Sequence, residues 1–192
     1  MRILSAILAF VLMSNNAIGV QIDYVFTGSA SGNVNGVSFG NSAFTITALA
    51  ETTSRAIVET NVLTVPSISS SIEIDGVGTF NVFSSTRTFR YLNSVGYSRP
   101  LPGGLDLYDL QNNSLVNWGM QSSFGPVTTT GHVLQWDSQP VQTSGGILVL
   151  NETFTGGTFQ AVIVPEPSTL TLAALGIAAT LAYRCRLTRS KR

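Results

Sequence analysis

The sequence predicts an all-β, antiparallel domain of the β-sandwich or jelly-roll type, followed by a single C-terminal apolar helix. Three observations carry this. The middle of the chain is rich in Ser, Thr, Asn, Gly, Val and Phe, which suit strands and turns better than helices. Short alternating or β-branched runs are punctuated at close intervals by turn residues. Finally, no stretch between Val20 and Val164 shows a sustained helical period with caps. No fixed internal repeat is present, which argues against a regular β-solenoid.

Taken in order, Ile22 to Phe26 reads as the first strand. Ser29 to Val34, the pair Asn35-Gly36 and Val37 to Phe39 read as a hairpin, because Asn-Gly suits the positive φ angles of a type I′ turn. Phe44 to Leu49 alternates apolar and polar, and Ser69 to Ile74 does so in its second half. Asp75-Gly76 marks a turn before Thr79 to Phe83, and Thr86 to Leu92 places Phe89 and Tyr91 on one face. Pro100 to Gly104 is the clearest loop. Strands are then expected over Leu105 to Leu110, Leu115 to Trp118, Val127 to Leu134, Ile147 to Leu150 and Thr158 to Val164.

Only 10% of residues are charged against 44% hydrophobic, below the roughly 25% charged of soluble domains. Much of the excess apolarity lies in the terminal segments. Between Val20 and Val164 the basic residues are Arg55, Arg87, Arg90 and Arg99. They face Asp23, Glu51, Glu59, Glu73, Asp75, Asp106, Asp109, Asp137 and Glu152, so this part is mildly acidic. No basic stripe exists to release counterions from a phosphate backbone, and nucleic-acid binding is not expected. Cys185 is the only cysteine, which excludes an internal disulfide and a Cys/His zinc site.

The ends have their own chemistry. Met1-Arg2 precedes an apolar run from Ile3 to Met13 broken only by Ser5, with small residues at Ala17 and Gly19. This is the order of an export signal peptide over residues 1–19, with cleavage by signal peptidase expected after Gly19. Residues 20–163 form the β-rich secreted domain, and residues 164–192 a separate tail. The tail opens with Val164, Pro165, Glu166, Pro167, Ser168 and Thr169, where the prolines hold the chain extended. Residues 170–183 are apolar apart from Thr171, Gly176 and Thr180, and are read as a transmembrane helix. At about 1.5 Å per residue the run covers about 21 Å, short of the roughly 30 Å hydrocarbon core. Snorkelling arginines and local thinning make up part of that gap. Arg184, Arg186, Arg189, Lys191 and Arg192 follow in the basic tail of residues 184–192, and are expected to stay on the cytoplasmic side.

The order Val-Pro-Glu-Pro-Ser-Thr, short apolar helix, arginine cluster resembles the PEP-CTERM sorting signal of Gram-negative bacteria. The resemblance implies recognition by an exosortase, a membrane-embedded cysteine transpeptidase, with Pro165, Glu166 and Pro167 as the recognition element and not as catalytic groups. It also implies transient retention in the inner membrane, then release or attachment at the cell surface, and an association with exopolysaccharide. The same signal also carries an ice-binding label, which says nothing secure about ice.

Within residues 20–163 the candidate chemistry is sparse. Gly36-Val37-Ser38-Phe39-Gly40 matches a nucleophile elbow, with Asp106 or Asp109 and then His132 following in hydrolase order. That motif works on a strand-to-helix turn, whereas a hairpin is predicted here, so the match is read as chance. His132, the only histidine, is expected at the surface or the end of the sandwich. Asp106 and Asp109 follow a loop and leave calcium open as a ligand, without an EF-hand spacing; solvated carboxylates are the alternative, and no cofactor is expected. Trp118, Trp136, Tyr91, Tyr97 and Tyr108 would stack on sugars if exposed on one face, but aromatics at such positions more often pack a core. Thr-x-Thr recurs at Thr45/Thr47, Thr86/Thr88, Thr128/Thr130 and Thr153/Thr155 at unequal intervals, so no regular ice-binding array is expected. Asn112-Asn113-Ser114 and Asn151-Glu152-Thr153 match glycosylation sequons, read as accidental in a bacterium. The expected role is a non-enzymatic structural or adhesive one at the surface, with a carbohydrate-binding module as the alternative and a hydrolase as a remote one.

Overall fold

The computed structural model describes residues 19–100, 105–165 and 176–177. Twelve strands follow one another among them: β1 (Gln21–Val34), β2 (Val37–Glu51), β3 (Ala56–Glu59), β4 (Val62–Ile74), β5 (Gly78–Val82) and β6 (Arg87–Tyr91), then β7 (Ser94–Arg99), β8 (Leu105–Gln111), β9 (Phe124–Val133), β10 (Val141–Thr143), β11 (Gly146–Leu150) and β12 (Thr153–Ile163). Every pairing is antiparallel. The all-β antiparallel class is as the sequence predicts.

The strands form one continuous ladder in the order β11-β10-β5-β4-β2-β1-β12-β9-β8-β7-β6. Two further pairings, β4 with β6 and β1 with β11, close this path on itself in a sandwich-like wrap. Strand length makes the double closure possible. The first half of β1 pairs with β12 and its end with β11. The first half of β4 pairs with β6 and the second half with β5. Asn35 (φ 50°) and Gly36 (φ 83°) form the β1–β2 hairpin, as the Asn-Gly pair predicts. Ile22–Phe26 and Ser29–Val34, predicted as two strands, are one, because the ladder runs through Gly28 with a single irregularity between Ala30 and Gly32.

Alternation puts Ile22, Tyr24 and Phe26 of β1 inside with Ile46, Ala48 and Ala50 of β2 and Ile72 and Ile74 of β4, all essentially inaccessible. An aromatic chain fills the centre. Phe26 meets Phe159 at 5.0 Å, Phe44 meets Tyr108 edge-on at 5.1 Å, and Trp118 meets Phe124 at 5.1 Å and Phe159 at 5.3 Å. Tyr108 crosses this core to donate its hydroxyl to the Thr27 carbonyl at 2.8 Å. Three glycines clear its path: a Cβ at Gly28, Gly157 or Gly131 would lie 2.4, 2.5 or 2.9 Å from the Tyr108 oxygen.

One expected strand is corrected. Leu115 to Trp118 is not extended; Asn113–Leu115 is a turn of 3-10 helix. The Asn112 carboxamide oxygen accepts from the Ser114 N–H at 2.9 Å and the Ser114 hydroxyl at 2.6 Å, a local turn that replaces ladder bonds. Leu115, Trp118 and Met120 still enter the core from this loop. Strands β3, β7 and β10 are additions to the predicted set.

The expected signal peptide lies outside the described residues except for Gly19, as does the predicted helix at 170–183 except for Gly176 and Ile177, which are helical and exposed. Among the described residues no helix is long and apolar enough to cross a membrane.

Candidate functional site

Two places concentrate chemistry. The first is the edge where the chain leaves the domain. β12 runs beside β1 from Ile163↔Ile22 to Thr158↔Thr27, so the first and last strands are neighbours. The Val164 N–H continues the ladder by donating to the Gln21 carbonyl at 2.9 Å, and the Val20 carbonyl accepts from Thr52 N–H at 3.0 Å. Both ends of the folded unit therefore emerge together. Val164 and exposed Pro165 are described; Glu166, Pro167, Ser168, Thr169, Arg184, Arg186, Arg189, Lys191 and Arg192 lie outside the described residues.

The second place is the outer face of β8, β9 and β12. Register aligns Asp109 with His132 and His132 with Phe154, and two residues along it aligns Gln111 with Thr130 and Thr130 with Gly156. Residues directly opposite on neighbouring strands share a face, so these side chains form two adjacent rows. The His132 ring stacks on Phe154 at 4.1 Å between centroids and 12° between planes. Its Nε2 lies 3.8 Å from Glu152 Oε1, an ion pair whenever the imidazole is protonated. Phe154 itself is 81% exposed. Asp109, Gln111, Thr130, Gly131, His132 and Phe154 line a cavity of about 150 Å³.

Asp109 is the unusual group. Burial pushes its carboxyl up to about 6, and the neighbouring Asp106 carboxylate adds to the rise, while the Leu110 N–H and the Gln111 amide pull it partly back. Its Oδ1 is buried with no hydrogen-bond partner. Asp106 is also raised by burial and lowered in part by Arg87.

The sequence candidates sort as follows. Asp109 and His132 are brought together, but Ser38 is not: it pairs with Asn33 near the hairpin tip, and β1 and β12 lie between its strand and β9. Three strand spacings of ~4.8 Å put it roughly 14 Å away along the sheet, and no helix follows it. The hydrolase constellation is therefore not assembled. Trp136, Tyr97 and Tyr108 are fully buried and Trp118 nearly so, while Tyr91 is half exposed. Trp136 donates its Nε1–H to the Leu107 carbonyl at 2.6 Å, and Tyr24 its hydroxyl to Met120 O at 2.7 Å. Apart from Tyr91, these tryptophans and tyrosines belong to the core, and together they offer no common sugar-stacking face. Among the described residues no group of three or more His, Cys, Asp or Glu is gathered as a metal site.

Sequence reading passed over Phe154 and Gln111. The signal that could have found Phe154 is its place in Thr153-Phe154-Thr155, where strict alternation before the buried Phe159 puts it on the outer face. The threonines also behave differently from their sequence intervals. Thr128, Thr158, Thr27 and Thr45 fall into one row across β9, β12, β1 and β2, with Thr27 Oγ1 2.9 Å from Thr158 Oγ1. In the sequons, the Asn112 amide donates to Thr128 O at 2.9 Å, and the Asn151 amide to Ser31 Oγ at 3.3 Å.

The tail is where comparison with known proteins decides something. Residues 164–187 match the PEP-CTERM protein-sorting motif. The match begins at Val164, the residue whose N–H makes the last ladder bond to β1. It covers the proline motif, the apolar run and the first arginines, and it implies exosortase processing and an exported protein of the cell surface or extracellular space. No curated protein and no solved structure matches the chain.

Proposed function

We propose that this chain is a non-enzymatic structural or adhesive protein of the cell surface or extracellular matrix, sorted by exosortase through its PEP-CTERM tail. Export begins with a signal peptide over residues 1–19, cleaved by signal peptidase. The tail then holds the protein briefly at the inner membrane until exosortase cuts at or near Pro165-Glu166-Pro167. Exopolysaccharide is the proposed matrix partner. The observation that carries the reading is the sorting motif placed directly against the end of β12, where the fold hands the chain over without a linker. Ser38 stands three strands from His132, so the Gly36–Gly40 match lacks the geometry a hydrolase would need.

Intact mass of the protein recovered from its native host, with and without a working exosortase, tests the pathway. Loss of residues 1–19 in both strains, and of the tail beyond the proline motif only where exosortase works, is the expected result. Replacement of Pro165, Glu166 and Pro167 by alanine should retain the tail even in the working strain. A tail kept in both strains would make it a plain membrane anchor and end the sorting proposal.

A further inference from the structure

We propose that the outer face around Phe154, on β8, β9 and β12, is a binding site for a neutral pyranose ring of a polysaccharide. The inference deepens the matrix reading and rests on it for the source of ligand.

A phenylalanine 81% exposed contributes little to the fold. This one is also held in place. His132 stacks flat on one side of it, with Glu152 Oε1 3.8 Å from the imidazole Nε2, so the other side is presented to solvent as an aromatic plate. The apolar C–H face of a sugar packs on such a plate, while its hydroxyls need hydrogen-bonding groups around the rim. Those groups are present in the same cavity. Gln111 offers a carboxamide with two donors and an acceptor, and Thr130 a hydroxyl that does either. Asp109 lines the floor of the same cavity beneath them. Gly156, beside Thr130 in the second row, leaves open space next to the plate; a Cβ there would meet nothing within 4 Å.

Size and charge narrow the ligand. A cavity of about 150 Å³ is smaller than the roughly 300 Å³ at which pockets for drug-sized ligands begin, so it seats one ring. Asp106, Asp109 and Glu152 lie on or beside this face, and Arg87, the basic residue that bears on Asp106, does not line the cavity. A uronate or sulfated sugar would meet repulsion here, whereas a neutral ring would not. A one-ring site binds weakly, and a repeating polymer compensates by offering the same ring many times.

The test uses the full protein recovered from its host and the host's own exopolysaccharide, divided by anion exchange into a neutral and a uronate-bearing fraction. Affinity electrophoresis with each fraction in the gel reads binding. Retardation by the neutral fraction is expected, weakened about tenfold by Phe154→Ala. Phe83→Ala, which removes another phenylalanine, 70% exposed on a different part of the surface, should leave it unchanged. Gln111→Ala, at an exposed position, should weaken it less. The proposal is overturned if only the acidic fraction or neither fraction retards the protein. It is equally overturned if Phe154→Ala binds normally, or if Phe83→Ala loses as much. A correctly cleaved protein that does not bind removes this proposal alone, and one that binds but keeps its tail removes the sorting proposal alone.

Discussion

Replacing Asp109 by asparagine should stabilise this domain at neutral pH and leave it unchanged in acid. The Asp109 carboxyl titrates at about 6 in the fold against an ordinary value of 3.8, first because it is buried and second because Asp106 stands nearby. Between about pH 4 and pH 6 the folded chain therefore holds a proton that the unfolded chain has released. Stability falls as pH rises through that window, and above it the full cost of an ionised, part-buried carboxylate is present. At ~1.4 kcal/mol for each pH unit between the folded and unfolded values, the ceiling is about 3 kcal/mol. Residual solvent contact reduces the expected effect to about 1–2 kcal/mol. Asparagine keeps the size and one acceptor oxygen but has no charge to bury and no charge repulsion with Asp106. Urea unfolding followed by fluorescence of the buried Trp118 and Trp136, at pH 4 and pH 7.5, measures it. Every other group is common to both proteins, so the difference between variant and parent isolates Asp109. A variant no more stable than its parent at pH 7.5, or one equally more stable at both pH values, would refute the reasoning.

Further outcomes follow from the core and its turns. Gly28→Ala should destabilise by about 1–3 kcal/mol, because its Cβ would sit 2.4 Å from the Tyr108 hydroxyl, and Tyr108→Phe in the same chain should restore part of the loss. Gly157→Ala should not be rescued in this way, since its Cβ also meets the Thr27 carbonyl at 2.1 Å, a backbone atom; chemical denaturation of the single and double variants compares the two. Trp136→Phe should cost about 2–4 kcal/mol in the same assay, through an empty volume in the core and the loss of one of the two hydrogen bonds that the Leu107 carbonyl accepts. Gly36→Val should cost about 1–2 kcal/mol, because its φ of 83° suits glycine, while leaving the fold intact by circular dichroism.

The parts of this fold legible in the sequence are those set by local chemistry. Asn35-Gly36 announced its hairpin, Asp75-Gly76 its turn, and the alternation from Phe44 to Leu49 its buried face. The path of the ladder was not legible, because it depends on which half of a long strand meets which partner. That β4 serves β6 with Val62–Pro66 and β5 with Ser70–Ile74 is a property of the closed sheet and not of either segment. Leu115 to Trp118 misled because its apolar residues are buried without being extended, under the control of the Asn112 turn. At the candidate site, Asp109 and His132 drew attention for a hydrolase order that the sheet does not assemble. Phe154 drew none, since an exposed phenylalanine means something only once its neighbours across the strands are known.

The pairing of β1 with β12 also governs when the domain can become stable. A chain threaded outward from its N-terminus delivers Gln21–Val34 first and Thr153–Ile163 last, yet these two strands share one ladder. Closure therefore has to wait for the end of the translocating chain, when nearly everything beyond the channel mouth has emerged. The proline motif is all that then separates the final ladder bond from the apolar run beginning at Leu170. Its six residues, fully stretched, reach at most about 20 Å. Were the apolar run held in the membrane, as the sorting proposal has it, the β-sheet body would zip shut within that distance of the lipid surface, and a peptidase severing the tail would work in the gap beneath it.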